Sequence, residues 1–477
     1  MKTRINFILN NVLIDTEINP AVVLLDFIRN LRLKGTKEGC KEGDCGACTV
    51  LTGELTDDKL FYRSVNSCLL PVGNISGKHI VTIEGLNQKG VLLNPLQKAF
   101  VEEGATQCGF CTPGFIISLT GYFLNLTNKI SSGVIESLDG NICRCTGHNS
   151  IIRAAQKVSD KFISENIIIT PEYLAEMKIV PEYFLTIRDR LQQLSQSVEV
   201  NITDNKSYRY FVGGGTDLFV QKPDEMMISE IKLLHNDKSL YGIVIKDGYC
   251  FIGSNATVSD LRESDIFSKY FPEFHSFMEL FGSTPIRNNA TIGGNLNNAS
   301  PIGDMTVFFL SLNSVVTLTD GIAERDVFLK DYYLSYKKTD RHENEYMKCL
   351  KFKLPEGNYF YNFEKVSKRT YLDIASVNSS VFLKTESNLI SEIYLSAGGV
   401  SAIPLFLKKT CEFLTGTELS VENLNEAVSI AQKEISPISD ARGNEEYKRL
   451  LLTRLIYAHF LVLFPEIFRT EDTYERL

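Results

Sequence analysis

The chain has 477 residues, 44% of them hydrophobic and 23% charged, with a formal net charge of −8. This is the length of about three domains of ~100–200 residues, with enough apolar content for several cores and too much for a disordered chain. No apolar run reaches the ~18 residues of a membrane span, and no basic block interleaved with aromatics offers a nucleic-acid surface. Membrane and nucleic acid are therefore not expected partners. The charged, alternating N-terminus reads as a strand pair and not as a signal peptide. Of 11 cysteines, an odd number, eight precede residue 146. An odd count in a long chain without an export signal argues against a disulfide framework and for a reducing cytoplasm, and chance would not cluster the cysteines so.

In chain order, residues 1–80 read as β-rich. "INFILNNVLI" predicts a hairpin turning at Asn10-Asn11. "AVVLLDFIRNLRL" predicts one short amphipathic helix after Pro20, through Val23, Leu24, Phe27, Ile28 and Leu31. "CTVLTGEL" and "HIVTIEGL" predict later strands. From residue 91 the period changes. Asn94-Pro95 opens a helix that Gly104 ends. Thr112-Pro113 opens another, with Phe115, Ile116, Leu119, Tyr122, Phe123 and Leu126 on one face. "SGVIESL" and "SIIRAAQKVSDKF" complete four short helices. Prolines 171 and 181 mark a linker, and "YGIVIKDGYCFIGS" predicts a hairpin at Asp247-Gly248. "KRLLLTRLIYAHFLVLF" predicts a long C-terminal helix.

The cysteines fall into two sets and three singles. Cys40-x4-Cys45-x2-Cys48, with Cys68 downstream, has the C-x4-C-x2-C…C spacing of a plant-type [2Fe–2S] site. Gly39, Gly43 and Gly46 let the loop wrap closely and aim N–H groups at sulfur. Structural zinc is the alternative, but zinc usually takes two C-x2-4-C knuckles and this set has one. Cys108-x2-Cys111 and Cys143-x-Cys145 each precede a helix start. If those starts meet, four thiolates converge where helix dipoles stabilise negative charge. Cys250, Cys349 and Cys411 are expected to be buried small hydrophobes. "FVGGGTDLFV" (211–220) is a strand, a glycine run and Thr216-Asp217, a candidate anion nest, and not a G-x-G-x-x-G fingerprint. "RNNATIGGNLNNASPIGD" (287–304) is a polar loop with a second glycine pair.

"TKEGCKEGDCGACTV" (36–50), "QCGFCTPG" (107–114) and "GNICRCTG" (140–147) resemble the two [2Fe–2S] domains of the molybdenum hydroxylases. That family includes xanthine dehydrogenase, aldehyde oxidase and carbon monoxide dehydrogenase. "GGGTDL", "IRNNATIGGNL", "ASPIGD", "FEKVSKRTYLDIASVN" and "LSAGGVSAIP" follow in the family's order. The resemblance implies an α+β multidomain chain. Its parts are a β-grasp [2Fe–2S] ferredoxin domain (1–80), a four-helix [2Fe–2S]-binding bundle (81–165), a linker (166–181), an α+β FAD-binding domain of the vanillyl-alcohol-oxidase-like kind (182–355) and an α+β C-terminal flavoprotein domain (356–477).

The resemblance also implies roles. The eight cysteines above hold two [2Fe–2S] clusters. Gln107 hydrogen-bonds the pterin of a molybdopterin carried by a partner. Gly213, Gly214, Gly215, Thr216, Asp217 and Leu218 hold the FAD pyrophosphate. Phe281, Thr291, Gly294, Asn295, Asn298 and Asp304 complete the FAD site. Lys365 reaches the flavin, with Arg369 and Asp373 in the loop near its ring. Arg144 offsets cluster charge, and His148, where the family more often has tyrosine, packs. The family's molybdenum domain is larger than this whole chain, which implies a molybdopterin-binding large subunit in an (αβ)2 hetero-oligomer. Iron–sulfur and flavin parts fused in one chain favour the xanthine dehydrogenase type. Electrons from a purine oxidised on the partner would then cross the second cysteine set, the first set and FAD to NAD+. Three readings stay open beside it: the same module serving nicotinate, aldehyde or carbon monoxide oxidation, a non-catalytic electron carrier or assembly factor that binds FAD without pyridine nucleotide, and a zinc-binding structural protein.

Overall fold

The computed structural model describes residues 2–56, 58–87, 90, 93–126, 133–164, 169–195 and 208–469. Two compact units divide the chain: Met1–Asn236 with Ser283–Ala290, and Asp237–Gly282 with Thr291–Leu477. Among the described residues no helix is long and apolar enough to cross a membrane.

The first unit opens with a five-stranded sheet, ordered across as Val12–Ile18, Thr3–Leu9, His79–Val81, Thr49–Thr56 and Lys59–Asn66. Thr3–Leu9 runs parallel to His79–Val81, and the other pairs are antiparallel. The hairpin register pairs Leu9 with Val12, so Asn10 and Asn11 are the turn, and Asn10 takes φ 54°. Leu24–Asn30 is the one α-helix among the described residues of this part, and its Leu24, Phe27 and Ile28 pack with Ile5, Phe7, Leu9 and Val50. A sheet gripping a single helix in this way is the β-grasp arrangement. The strand Lys59–Asn66 was not expected from "KLFYRSVN", whose inward residues include Ser64 and Asn66.

The bundle follows. Asn94 caps Pro95–Glu102 through a capping box with Gln97, which satisfies two orphan N–H groups at once. Thr112–Leu124 and Asn149–Ser164 are the other long helices. The third segment is a single 3-10 turn, Glu136–Leu138. Phe115, Ile116, Leu119 and Phe123 are buried as expected, among Leu96, Phe100, Ile151 and Ala155. The stretch expected to be a linker differs. Its residues 166–168 lie outside the described residues, but Thr170 caps a helix at Pro171–Glu176, and Leu174, Ile179 and Val180 join the bundle core. Prolines signalled a helix start there, and the apolar residues between them are packed. Beyond it, Tyr210–Val212 runs parallel to Ile231–Leu233.

The second unit holds two larger sheets and the short pair Tyr333–Ser335 with Lys338–Thr339. One is antiparallel, in the order Glu324–Phe328, Val315–Thr319, Tyr346–Lys353, Tyr249–Gly253 and Ile243–Lys246. Its last hairpin turns at Asp247-Gly248, both at positive φ. The other sheet is Tyr359–Val366, Val377–Glu386, Leu389–Gly398 and Leu405–Phe406. Helices Val421–Glu434 and Glu445–Leu463 bury Leu424, Ala427, Leu452, Ile456 and Phe460 against it. Buried His459 sits in this core, with Nδ1 facing the Asn362 amide at 3.0 Å and Nε2 facing Ser379 Oγ at 3.0 Å.

Candidate functional site

Both cysteine sets gather in the first unit, and both resolve into sulfur pairs. In the first set Cys48 and Cys68 lie 3.4 Å apart, buried among Ala21, Leu25, Leu69, Val212 and Phe219. Cys40 and Cys45 form the outer pair. The N–H groups of Glu42 and Cys45 both donate to Cys40 Sγ at 3.4 Å. A bond from Cys45 holds the Cys40 thiol down at about 4, helped by the Glu42, Cys45 and Asp44 N–H groups, while Cys45 itself is pushed up by sharing that proton. The expected N–H···S contacts are therefore present, on a loop that Gly46 lets turn at φ 66°.

In the second set Cys145 and Cys108 lie 3.6 Å apart and are exposed. Cys143 and Cys111 form the inner pair. Burial pushes Cys111 up to about 12, with the bond it shares with Cys143 adding to this. Burial acts the same way on Cys143, but bonds from Thr146 outweigh it and the net direction is down. Cys111 stands immediately before Thr112–Leu124, and Asn149–Ser164 begins four residues after Cys145.

Four cysteines as two pairs suit a cluster whose two irons each take two thiolates. Among the described residues no three such donors gather on one point, as a single-ion site requires. All eight thiols are free of disulfides. The residues present fit two [2Fe–2S] clusters.

The two sets touch through backbone. Ile142 N, beside Cys143, donates to Cys45 O at 3.1 Å. Asn141 Nδ2 donates to Gly46 O at 3.0 Å and to Thr49 Oγ1 at 3.2 Å, while its Oδ1 accepts from Ser118. Lys37 reaches from the first loop to the Gly109 and Phe110 carbonyls, at 3.2 Å each. None of these three roles was visible in sequence, because the groups they join across the two cysteine loops lie more than 70 residues apart. His148 does more than pack edge-on to Phe115: its Nε2 accepts the Cys143 N–H at 3.1 Å, fixing the backbone of a cysteine of the second set. Gln107 and Arg144 are exposed beside the second set.

The glycine run also belongs to the first unit. Gly213 O accepts from Asn74 at 2.8 Å and Gly214 O from Asn289 at 2.7 Å. Gly215, at φ 87°, comes so close to the chain after Cys68 that a Cβ there would lie 3.0 Å from Leu69 O. Thr216 and Asp217 follow, and Leu218 begins the turn Leu218–Gln221.

The other expected flavin residues belong to the second unit. Thr291 caps Ile292–Asn297 by accepting from Gly294 N. Gly293 spends its missing Cβ on Ser254, which a methyl would meet at 2.7 Å. Gly294 is exposed, as a residue open to a ligand must be. Asn295 Oδ1 is buried with no protein partner, an acceptor of the kind a bound polar group satisfies. This observation and the open Gly294 fit FAD. Asn298 takes Lys337 on its carbonyl and on Oδ1, each at 2.7 Å. Phe281 is buried. Lys365 spends three donors at once, on Asp304 Oδ2 (2.7 Å), Leu280 O (2.6 Å) and Asp373 O (2.9 Å). Asn378 holds the other Asp304 oxygen at 2.5 Å. Lys365 and Asp304 are thus brought together as a buried ion pair. Arg369 is exposed and bonds within its own loop, its N–H to Asp373 and its guanidinium to Leu372 O.

Of the single cysteines, Cys250 and Cys411 are buried and Cys349 is half-buried. Burial pushes both Cys250 and Cys411 up to about 12.

Four domain families match in chain order. They are a 2Fe-2S iron-sulfur cluster binding domain (7–73), a [2Fe-2S] binding domain (82–156), an FAD binding domain in molybdopterin dehydrogenase (188–355) and a CO dehydrogenase flavoprotein C-terminal domain (362–463). Xanthine dehydrogenase of Emericella nidulans is 28% identical over 87% of the chain, and human aldehyde oxidase 25% over 94%. The chain spans only 35% and 38% of those proteins. A carbon monoxide dehydrogenase chain from Hydrogenophaga pseudoflava, in a form lacking the Mo-pyranopterin moiety, shares the fold over 54% of this chain and 90% of its own, with TM-score 0.50 and 21% identity. Paired sulfurs in two adjoining sets, an FAD domain after them and the flavoprotein C-terminal domain last make one consistent order, and by it the chain belongs to the molybdenum hydroxylase family as an iron–sulfur and FAD electron-transfer module.

Proposed function

We propose that the chain is the electron-transfer subunit of a xanthine dehydrogenase, working between a molybdopterin-binding large subunit and NAD+. The observation that carries this reading is an order in space. One backbone hydrogen bond, Ile142 N to Cys45 O, joins the second sulfur set to the first, and Leu69, next to Cys68, lies against Gly215 of the glycine run. Bound clusters carry single electrons and a bound flavin carries two, so together they match one-electron transfer to two-electron chemistry.

The chain's own residues supply the rest. Cys108 and Cys145 present the second set at the surface, beside Gln107, where a partner's pterin would dock. Asn141 and Lys37 hold the two cysteine loops in contact. Buried Cys48 and Cys68 keep water from the inner end of the first set. Lys365 and Asp304 fix the segment after the second flavin loop through a buried, fully bonded pair.

The test uses the purified chain. It should carry iron and FAD, show EPR signals of two distinct clusters on reduction, and oxidise NADH with an artificial acceptor. It should leave xanthine untouched until the large subunit is added. Turnover of xanthine by the chain alone, or flavin that NADH fails to bleach, would refute the reading. The similarity to human aldehyde oxidase supports a second reading, the same module beside an aldehyde-oxidising partner. A substrate screen on the reconstituted pair separates the two.

A further inference from the structure

The segment Ser283–Ala290 lies inside the span that matches the FAD family, yet it belongs to the first unit. It begins with a helical turn, Thr284–Arg287, and reaches both cysteine loops. On the second loop, Arg287 donates to Asp139 Oδ2 at 2.7 Å and Thr284 N donates to Asp139 Oδ1 at 2.8 Å. The two charged side chains are 1% and 2% exposed. Pro285 packs where a Cβ on Gly140 would stand. Asp139 and Gly140 lead directly into Asn141, Ile142 and Cys143. On the first loop, Ile286 packs over Gly43, between Cys40 and Cys45: a Cβ there would meet Ile286 Cδ1 at 2.8 Å. Asn288 ties the segment to Ser64 O at 2.9 Å, and Asn289 ties it to Gly214 O at 2.7 Å.

A buried ion pair adds little net stability, since desolvation offsets the attraction. Its strength is geometric: a guanidinium bonded to a buried carboxylate allows one arrangement of the backbones that carry them. Here those backbones are the strap and the residues running into Cys143. Ile286 fixes the same strap to the other loop by shape alone. We propose that Ser283–Ala290 is a positioning strap, anchored by Arg287, that sets the register of the two cysteine loops and thereby the electronic coupling between the two clusters. The inference rests on the relay reading above.

The test uses the full chain, fully reduced, with low-temperature EPR reading the spin–spin interaction between the two clusters. Arg287→Met should bind iron and FAD in the parental ratio but lose the parental interaction pattern. Arg287→Lys should recover part of it. Ile286→Ala, which leaves the ion pair whole, should shift the pattern in the same sense. Parental EPR in both Arg287→Met and Ile286→Ala, with only a lowered unfolding temperature, would overturn the proposal and leave the strap as packing. If Arg287→Met fails to fold, Ile286→Ala decides alone. A parent chain with no iron would instead sink the relay reading on which this rests.

Discussion

The two cysteine centres reach the same paired geometry by opposite routes. The first is a loop wrapped on itself, with N–H groups turned onto Cys40 and its inner pair, Cys48 and Cys68, sealed in an apolar core. The second hangs between two helix starts, with Cys108 and Cys145 at the surface and only Cys143 buried. The first centre is built into the fold, whereas the second is presented by it. Sulfur removal should expose that difference most strongly. Cys48→Ser should lose about half of the iron, because one cluster of two goes, and should lower the unfolding temperature of its domain, since metal binding is folding energy. Cys108→Ser should lose a similar share of iron with little change in unfolding. Equal destabilisation by the two, measured by iron assay and thermal melts, would erase the contrast.

Acid should sharpen it. His79 lies in the core of the ferredoxin domain, its rings edge-on to Tyr62 and Tyr183 and its Nε2 2.9 Å from Asn10 O. Burial holds it down at about 3, with Arg190 nearby adding to the shift. Between its ordinary value near 6.5 and that value the unfolded chain binds a proton and the folded chain does not. This part of the stability is fully present above pH 6.5 and falls by about 1.4 kcal/mol for each pH unit below it. His459, also held near 3 by burial, gives the second unit the same slope. In His79→Gln the acid slope of chemical denaturation should flatten by one histidine's share. An unchanged slope would mean that His79 takes up its proton in the folded chain as readily as in the unfolded one.

What the sequence made legible follows the range of the forces involved. The Asn10-Asn11 turn, the Asn94 cap and the Asp247-Gly248 hairpin are local, and each stands where its residues place it. The cysteine spacing was legible for the same reason, because a cluster ligand set is written within one loop or beside one helix start. Arg287 was not legible, since Asp139, which buries it, lies 148 residues away. Nor was the partner of Lys365: the resemblance points that lysine to the flavin, and the strand turns its side chain inward, to 1% exposure, onto Asp304, 61 residues away. "SGVIESL" has helical composition and forms only a 3-10 turn.

Backbone substitutions test the contrast on a smaller scale. Gly46 and Gly109 both sit at positive φ inside a cysteine loop, at 66° and 74°. A methyl on Gly46 would run into Gly140 O and Asn141 of the opposite loop, whereas one on Gly109 meets nothing within 4 Å. Gly109→Ala should therefore cost only the left-handed strain, about 1–2 kcal/mol. Gly46→Ala adds overpacking, for a total of about 3 kcal/mol or more, and should also disturb the EPR of both clusters. Urea denaturation with EPR on the same samples measures both effects, and a Gly109 cost equal to that of Gly46 would show the second loop to be as tightly built as the first.

His148 gives the smallest effect, and it acts on the second centre alone. It stands at φ 71°, unusual for a residue with a side chain, so the turn after Cys145 is held by something other than local preference. The bond from Cys143 N to Nε2 supplies that hold, and it keeps the imidazole neutral at Nε2 because an acceptor cannot carry a proton there. His148→Phe keeps the edge-on packing with Phe115 but strands the Cys143 N–H, a loss of about 1–3 kcal/mol. His148→Gln offers a replacement acceptor and should lose less. Since Cys143 belongs to the second set only, His148→Phe should shift one of the two EPR signals and leave the first centre's unchanged. A shift in both would mean that the Ile142–Cys45 bond transmits the disturbance, and the two centres would then have to be treated as one mechanical unit.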